Sequence, residues 1–288
     1  MTSCPKCGKE VSNEVAFCPS CGYNLKAHQA PIASPGAPPP SSGAHPGAST
    51  NAGKAGVSQA VKMREKSDRV MSVAWIFLPL VGVAFGIGGF ASFYVFGLGG
   101  IFVMLGLMVV EIVLIAAFWY FLISRRNDHF RRDKVLRSAL VEYIRQEGEA
   151  TGRSSQLSTE IATMNSINGE ASADETEKSA VLWIILSIVT FGLLGLYVLY
   201  FLTKDPYKHD SRQQGFMQQA QSALVKLGKT VVNPSWKALP SRSFFLYFVL
   251  SIITFGLFEY YWYYTLIVDF NNHFKAQWQL EDSIMAAI

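Results

Sequence analysis

The sequence reads Leu186-Ser-Ile-Val-Thr-Phe-Gly-Leu193 in one place and Leu250-Ser-Ile-Ile-Thr-Phe-Gly-Leu257 in another. The two segments lie 64 residues apart and differ at one position, which indicates an internal duplication. Both are apolar, and each is followed by an aromatic-rich stretch that continues into a mixed helix. We therefore predict one membrane repeat over residues 179–232, repeat A, and a second over residues 241–288, repeat B.

The duplication extends beyond the quoted segments to two pairs of an acidic residue and a histidine. Asp205 matches Asp269 at the repeat distance, and His209 matches His273. Within each repeat the two residues are four apart, so on a helix they face the same way and could share a proton or a metal. The competing interpretation is that these pairs only occupy the membrane interface.

A diverged third copy of the repeat lies in the first apolar region. Its Leu80-Val-Gly-Val-Ala-Phe-Gly-Ile87 parallels the two Thr-Phe-Gly segments. Further along, Asn127-Asp-His-Phe130 parallels Asn271-Asn-His-Phe274 of repeat B, and an aromatic-Trp-Tyr triplet precedes both. The sequence therefore predicts three related units in the body of the protein.

Composition and charge are those of a membrane protein. Of the 288 residues, 50% are hydrophobic and 16% are charged, and several apolar runs exceed the roughly 18 residues that indicate a membrane helix. Most Lys and Arg flank the apolar runs, which suits membrane lipids as partners and argues against nucleic acid. No GxSxG, HExxH or P-loop motif occurs in a matching context, so we do not expect an enzyme.

The first apolar region, within residues 57–146, predicts a membrane hairpin. Its two crossings, at about residues 70–95 and 100–124, contain one charged residue, Glu111. Because the bend carries no charge and arginines follow the second crossing, both ends are expected in the cytosol. A basic amphipathic helix completes the unit, and a polar loop is expected over residues 147–178.

Repeats A and B are compatible with two topologies. If residues 180–203 and 244–268 each cross the membrane once, the loop between them lies outside although it is rich in Lys and Arg. Alternatively, each Thr-Phe-Gly breaks its segment into a shallow re-entrant hairpin, and both ends of that hairpin return to the cytosol. Both topologies remain open from the sequence.

Four cysteines near the N-terminus predict a zinc site: Cys4, Cys7, Cys18 and Cys21. They form two CxxC knuckles, a spacing at which β-hairpin turns supply paired thiolates to a tetrahedral Zn2+ ion. Because protein ligands fill all four positions, the zinc is structural and supplies the folding energy of a small ribbon over residues 1–26. A Pro, Ala, Gly and Ser-rich stretch over residues 27–56 predicts a disordered linker.

Two parts of the chain resemble known families. The first 25 residues resemble the short N-terminal zinc ribbon of many prokaryotic membrane and regulatory proteins. Residues 180–275 resemble an uncharacterised prokaryotic membrane-protein family whose repeats read roughly TxGxYxxYW, often behind such a ribbon. Leu193 and Leu257 replace the Tyr after Gly, and Trp262 keeps the Trp in one copy. The resemblance implies a membrane fold and no particular activity.

These observations predict an α-helical integral membrane protein with a small N-terminal Cys4 zinc ribbon, multi-pass in the cell membrane with the ribbon in the cytoplasm. The function expected is a sensing or protein-recruiting adaptor, with a protein partner at the ribbon and a possible homo-oligomer. The alternative is a small transporter or channel component that uses Glu111, Glu259 and the Asp/His pairs. Either glutamate could instead be a carboxyl that is hydrogen-bonded between helices.

Overall fold

A computed structural model describes residues 2–4, 8–12, 15, 18–20, 25, 50–232 and 234–288. Two short strands, β1 (Thr2–Ser3) and β2 (Glu10–Val11), pair antiparallel near the N-terminus. The rest of the described chain is mostly helical. Its helices are α1 (Thr50–Ser67), α2 (Phe77–Phe96), α3 (Gly100–Ala150), α4 (Ser158–Asp174), α5 (Ala180–Val189), α6 (Leu193–Lys226), α7 (Phe244–Ile253) and α8 (Leu257–Ala287).

The first apolar region forms a long helical hairpin, the first hairpin. A 3-10 turn at Val73–Ile76 leads into α2, and a second one at Gly97–Gly99 reverses the chain into α3. Gly97 has φ of +56°, a backbone conformation that glycine adopts without strain. Within the described residues, one helical stretch, Val73–Ala150, is long and apolar enough to cross a membrane, and only 6% of its most apolar window is buried.

Repeats A and B form two shorter hairpins, α5–α6 and α7–α8. Each begins at a serine whose hydroxyl accepts a backbone hydrogen bond, Ser179 in repeat A and Ser243 in repeat B. Each then breaks at Thr-Phe-Gly, because Gly192 and Gly256 adopt φ of +89° and +88°. Neither apolar segment is one continuous helix, so the geometry differs from the single span that the sequence left open.

The two Thr-Phe-Gly turns leave no backbone N–H unpaired. From residue 190 to 195, each N–H donates to a carbonyl or to Thr190 Oγ1, and residues 254–259 repeat the pattern with Thr254. The Thr190 hydroxyl also donates to the carbonyl of Leu186 at 2.7 Å. One threonine therefore closes the end of the first helix and caps the start of the second.

The three long helices, α3, α6 and α8, run parallel. Their N-terminal parts share a buried apolar cluster that includes Ile123, Leu202 and Ile267. Their C-terminal parts share another that includes Leu140, Leu224 and Leu280. All three hairpins therefore turn on the same side of the molecule. We call their turns the tips, the helices next to them the arms, and the level between the two clusters the base.

Backbone clamps tie the hairpins together at the base. The Asn127 side chain donates to the carbonyl of Lys178 at 2.6 Å and accepts from its N–H at 3.1 Å. Asn271 makes the same two contacts with Met71, at 2.8 and 3.0 Å. Asn127 and Asn271 occupy equivalent repeat positions, two residues before His129 and His273. The third unit is thus related to repeat B in structure as well as in sequence.

The first hairpin is much longer than the other two. His209 and His273 each follow their tip glycine by 17 residues, whereas His129 follows Gly97 by 32. At the helical rise of about 1.5 Å per residue, its tip lies roughly 22 Å further from the base. Phe85 and Gly86, which parallel the Phe-Gly of the repeats, lie inside α2 and do not break it.

The lower bundle differs from the sequence-based prediction in two places. Helix α1 begins at Thr50, inside the predicted linker, and residues 27–49 lie outside the described part of the chain. It packs on α3 because Gly53 lets the two backbones approach; a Cβ there would lie 2.5 Å from Tyr143 Cα. Residues 158–174, predicted as a loop, form α4, and its Met164 is buried in the lower cluster. A few such contacts stabilise a helix that lacks a sustained apolar stripe.

Candidate functional site

Three histidines, one from each repeat unit, meet at the base. His129 Nε2 lies 3.1 Å from His209 Nε2 and 3.0 Å from His273 Nε2. The ring centroids form a nearly equilateral triangle with sides of 5.0, 5.0 and 5.1 Å. All three side chains are fully buried. The sequence duplication therefore produces a threefold arrangement of imidazoles on α3, α6 and α8.

A carboxylate holds the other ring nitrogen of each histidine. His129 Nδ1 lies 2.9 Å from Asp68 Oδ1. His209 Nδ1 lies 2.9 Å from Glu175 Oε1. His273 Nδ1 lies 2.7 Å from Asp210 Oδ1. Such contacts fix the orientation of a ring and its tautomer. The same feature accompanies most metal-ligating histidines in proteins.

Two of these carboxylates occupy the same place in their repeats. Asp68 and Glu175 each stand four residues before the serine that caps the first helical turn of the hairpin. In repeat B that place is taken by Leu239, whose backbone N–H donates to Asp210 Oδ2 at 2.9 Å. Asp210 on α6 thus replaces the missing carboxylate.

A fourth buried carboxylate faces the nitrogens directly. Asp133 Oδ2 lies 3.0 Å from His209 Nε2 and 3.5 Å from His129 Nε2. Its other oxygen accepts from Gln277 Nε2 at 2.6 Å. Within the described residues Oδ2 makes no hydrogen bond of good geometry. Unless His209 Nε2 carries a proton, Oδ2 is therefore an acceptor without a donor, and the bond from Gln277 holds the carboxylate in place.

The carboxylates of the cluster are ionised. Burial raises the pKa of each one, but imidazole and guanidinium neighbours outweigh burial and lower it, to about 2 for Asp68. The pKa is lowered in all four: Asp68, Asp133, Glu175 and Asp210. An ionised carboxylate only accepts, so each Nδ1 donates its proton. In a neutral ring, Nε2 then carries a lone pair that points toward the centre of the cluster.

The imidazoles do not all respond to burial in the same way. Burial lowers the pKa of His129 to about 4 and also lowers that of His273, which favours the neutral ring. At His209 burial acts in the same direction, but the charges of Glu175 and Asp133 outweigh it and raise the pKa. The cluster can therefore bind either a proton, first at His209, or a cation that accepts the ring lone pairs.

Aromatic rings pack against the cluster. Phe130 stacks on His209 with centroids 4.3 Å apart, Phe274 lies 4.6 Å from the ring of His129, and Phe270 is nearly parallel to His273. These phenylalanines are themselves buried. The polar groups thus lie in a dry environment in which charge interactions are strong.

The predicted pairing within each Asp/His pair is wrong. Asp205 bonds both Nε and Nη2 of Arg126, at 2.9 and 2.6 Å, instead of His209. Asp269 forms an ion pair with Arg242. Each Asp precedes its His by four residues and therefore lies about 6 Å from it along the helix axis. At that level, one turn closer to the arms, the Asp contacts an arginine and not the histidine. His209 and His273 occupy matching repeat positions, and their carboxylate partners are Glu175 and Asp210 instead.

The two predicted intramembrane glutamates lie on different hairpins. Glu111 on α3 packs against α2, where a Cβ on Gly86 would come within 2.5 Å of its Oε2. It also lines a groove of about 470 Å³ between the first hairpin and repeat A. Glu259 on α8 accepts a 3.3 Å hydrogen bond from the Tyr263 hydroxyl. The structure places neither glutamate in the histidine cluster.

The described ribbon residues fit a zinc site. Cys4 and Cys18 are buried in one small cluster with Val11 and Leu25. The Gly8 N–H donates to the carbonyl of Cys4 at 2.8 Å and closes the turn of the first knuckle. Cys7 and Cys21 lie outside the described residues. With those two, Cys4 and Cys18 would hold the ion, and the ion would supply the stability that this short segment lacks.

Comparison with known families agrees with this division. A family model of a zinc-ribbon domain matches residues 3–25. A model of a domain of unknown function (DUF4234) matches residues 242–286, most of repeat B. The chain joins a zinc ribbon to an uncharacterised domain. Together with the apolar helices, these matches suggest a membrane-associated protein of unknown function. No curated protein and no solved structure shows a significant match to the chain.

Sequence reasoning named two of the seven side chains of the cluster, His209 and His273, and missed the other five. His129 was visible, because the third copy aligns Asn127-Asp-His-Phe130 with the corresponding segment of repeat B. Asp133 stands four residues after His129, and the matching positions of the other two units are Gln213 and Gln277. Alignment of the three units would therefore also have shown that this position is acidic in one unit and a glutamine in the other two.

Proposed function

We propose that this chain is a membrane-anchored adaptor without catalytic activity. A three-hairpin body lies in the cell membrane, and the tethered zinc ribbon senses or recruits a protein partner in the cytosol. The observation that carries the proposal is that all three hairpins expose apolar arms on one side of a base that buries charge. This arrangement fits an amphipathic environment with hydrocarbon on one side and water on the other.

The tips have the surface that hydrocarbon requires. Phe191 and Phe255 are 99% and 97% exposed, and Leu193 and Leu257 beside them are also exposed. Irregular backbone in hydrocarbon costs several kcal/mol for each unpaired polar group, on the order of a lost hydrogen bond or more. Because every N–H of the Thr-Phe-Gly turns is paired, lipid can surround the turns without a cost for unpaired N–H groups.

The lengths of the arms suggest how deep each hairpin reaches. Helices α5 and α7 have 10 residues each, or about 15 Å, which is half of the roughly 30 Å hydrocarbon core. Helix α2 has 20 residues, or about 30 Å. In our proposal the first hairpin crosses both leaflets twice, and the two short hairpins enter only the leaflet next to the base.

This topology places the positive charges on one side. The segment from Lys204 to Arg242, the second half of α6 and the connection to α7, returns to the base, where the Lys204 ammonium donates to the carbonyl of Arg242 at 2.7 Å. Its many basic residues would then lie in the cytosol with the N-terminal ribbon, as the positive-inside rule expects. The ribbon reaches its partner on a linker, which raises the effective concentration of the two at the membrane.

Cysteine labelling in sealed cells tests the topology. In a chain whose ribbon cysteines are replaced by serine, single cysteines are introduced at Leu98, Phe191 and Lys237. A membrane-impermeant maleimide added outside should label Leu98→Cys at the far tip and spare Lys237→Cys until the cells are opened. Phe191→Cys should resist it from both sides. Labelling of Lys237→Cys in intact cells would show that the repeats cross as single spans.

The recruiting role has its own test. The full chain and a Cys4→Ser/Cys18→Ser variant are cross-linked in cells and purified from membranes, with Lys9→Ala on the ribbon surface as control. Loss of a defined cross-linked partner in the cysteine variant alone supports an adaptor. Equal partners in all three chains contradict a role for the ribbon.

One observation favours a second candidate, transport across the membrane. The groove beside Glu111 is about 470 Å³ in volume and also touches Ser187 of repeat A. A carboxylate in such a place is a candidate ion or proton site. Transport predicts ion flux in reconstituted vesicles that Glu111→Gln abolishes and Glu149→Gln, on the exposed end of α3, leaves unchanged.

A further inference from the structure

We propose that the base binds one divalent first-row transition-metal ion through the side chains of His129, His209, His273 and Asp133. The ligand atoms are the three imidazole Nε2 atoms and Asp133 Oδ2, which all lie within 4.8 Å of one another. This site is separate from the ribbon and joins the three long helices at the point where the hairpins meet.

The distances between these atoms fit a four-coordinate ion. In a tetrahedral zinc site with bonds of about 2.0–2.1 Å, neighbouring ligand atoms are about 3.3 Å apart. The nitrogens of His209 and His273 lie 3.1 and 3.0 Å from that of His129, and Asp133 Oδ2 lies 3.0 and 3.5 Å from two of them. Four of the six distances between the ligand atoms are thus within a few tenths of an ångström of the tetrahedral value, and the other two, both to His273, are within 4.8 Å.

A proton satisfies this arrangement only in part. A proton on His209 Nε2 donates to one acceptor, either Asp133 or His129. His129 and His273 would then still direct two lone pairs at each other across 3.0 Å. In a fully buried site, unpaired acceptors carry a large cost, because no solvent replaces the missing donors. One metal ion accepts a lone pair from all four atoms at once.

The charge of the cluster also calls for a cation. Among the described residues, the only ion pair of Asp210 is with the ring of His273. Arg132 is shared between Asp68, Asp133 and Glu281. The four carboxylates around the rings, Asp68, Asp133, Glu175 and Asp210, are contacted within the described part of the chain by three guanidinium groups, those of Arg132, Arg137 and Arg212. A divalent ion between the rings would offset this excess at its source.

The groups that contact the four ligand side chains resemble those that orient the ligands of known metal sites. Each ring is oriented by a carboxylate on Nδ1, and Asp133 is oriented by Gln277 through its other oxygen. Such partners make imidazoles more basic toward a metal and fix which nitrogen binds it. They would be hard to explain if the three rings only filled space.

Three imidazoles and one carboxylate select the class of ion. Nitrogen ligands suit Zn2+ and other first-row transition ions, whereas Mg2+ and Ca2+ prefer oxygen. Zn2+ is the reference ion because four protein ligands without an open position form a structural zinc site. All four ligand residues are fully buried, so the ion would stabilise the junction of the three helices and not a reaction centre.

Metal content per chain tests the site. The full chain and its Cys4→Ser/Cys18→Ser variant, called here the ribbon variant, are purified in detergent without chelators and analysed by plasma mass spectrometry. We expect about two zinc or similar ions per full chain and about one in the ribbon variant. Adding Asp133→Asn or His209→Gln to the ribbon variant should lower retention at a fixed chelator concentration at least tenfold.

Two controls separate loss of a ligand from general damage. His45→Gln changes a histidine of the predicted linker, and Asp205→Asn changes the carboxylate one turn before His209; both should keep the ion in the ribbon variant. Asp133→Asn preserves side-chain shape, and circular dichroism reports whether it stays helical. A helical ribbon variant that holds no transition metal, as purified and after equilibration with Zn2+, overturns the proposal. Equal retention in the Asp133→Asn and Asp205→Asn chains overturns it as well.

Discussion

The base and the tips of this protein distribute charge and apolar surface in opposite ways. At the base, Arg132, Asp133 and His129 are fully buried, whereas at the tips Phe191 and Phe255 are almost fully exposed. A protein surrounded by water on all sides shows the reverse. The difference fits the proposed topology, in which the arms contact hydrocarbon and the base is stabilised by its own paired, buried charges.

The two regions also differ in how they are stabilised. Each Thr-Phe-Gly tip pairs its own N–H groups, five with backbone carbonyls and one with a threonine hydroxyl. The base depends on groups from all three hairpins, and each buried charge there is stable only with its partners in place. Substitutions should therefore have large and shared effects at the base, and small and local effects at the tips.

The largest effect is expected at Arg132. Its replacement by alanine leaves Asp68, Asp133 and Glu281 without their common guanidinium, and breaking a buried pair in this way costs about 3–5 kcal/mol. Thermal unfolding of the detergent-solubilised chain measures the loss. The matched control is Arg145→Ala, which removes two exposed pairs on the same helix and should change stability by at most about 1 kcal/mol. Similar melting curves for both variants would contradict the expectation that buried ion pairs stabilise this protein more than exposed ones.

An intermediate effect is expected at the tip glycines. Gly256 has φ of +88° and open space around its Cα, so Gly256→Ala introduces backbone strain of about 1–2 kcal/mol without a steric clash. The control is Gly169→Ala in the exposed middle of α4, where alanine should stabilise the helix by up to about 1 kcal/mol. The two variants should shift the melting temperature in opposite directions. Shifts in the same direction would show that the Thr-Phe-Gly turn is not formed.

The smallest effect is expected at the tip threonines. Thr190→Val removes the hydroxyl that accepts from the N–H of Leu194, a loss of about 1 kcal/mol for a helix cap. The control is Thr163→Val on α4, whose hydroxyl donates only to a carbonyl one turn earlier and should matter little. The Thr190 variant should lose more stability in lipid nanodiscs than in detergent that admits water. An equal loss in both media would argue that water already reaches the tip.

The repeats made much of the fold predictable. The Thr-Phe-Gly duplication predicted matched units, and uncharged glycines predicted the turn of the first hairpin, where the structure has Gly97–Gly99. A polar composition wrongly suggested a loop over residues 158–174, because α4 owes its stability to a few buried contacts such as Met164 and not to its own periodicity.

The site was less predictable than the fold. Spacing within one helix suggested that Asp205 pairs with His209. Instead, contacts between different elements determine the partners. Asp205 forms an ion pair with Arg126, and His209 pairs with Glu175, which lies in the segment before α5. Carboxylates that come from other elements leave no periodic signal. Only alignment of all three units could indicate that His129 belongs with the other two histidines.

The central claim is that three repeat units bring their histidines to one metal ion at the base. X-ray absorption at the zinc edge of the Cys4→Ser/Cys18→Ser chain tests it most directly, because nitrogen and sulfur ligands differ in bond length. The account predicts a single shell of nitrogen and oxygen at about 2.0 Å, with the outer scattering of imidazole rings. A spectrum with no bound zinc after equilibration, or with zinc that lacks imidazole scattering, would contradict it.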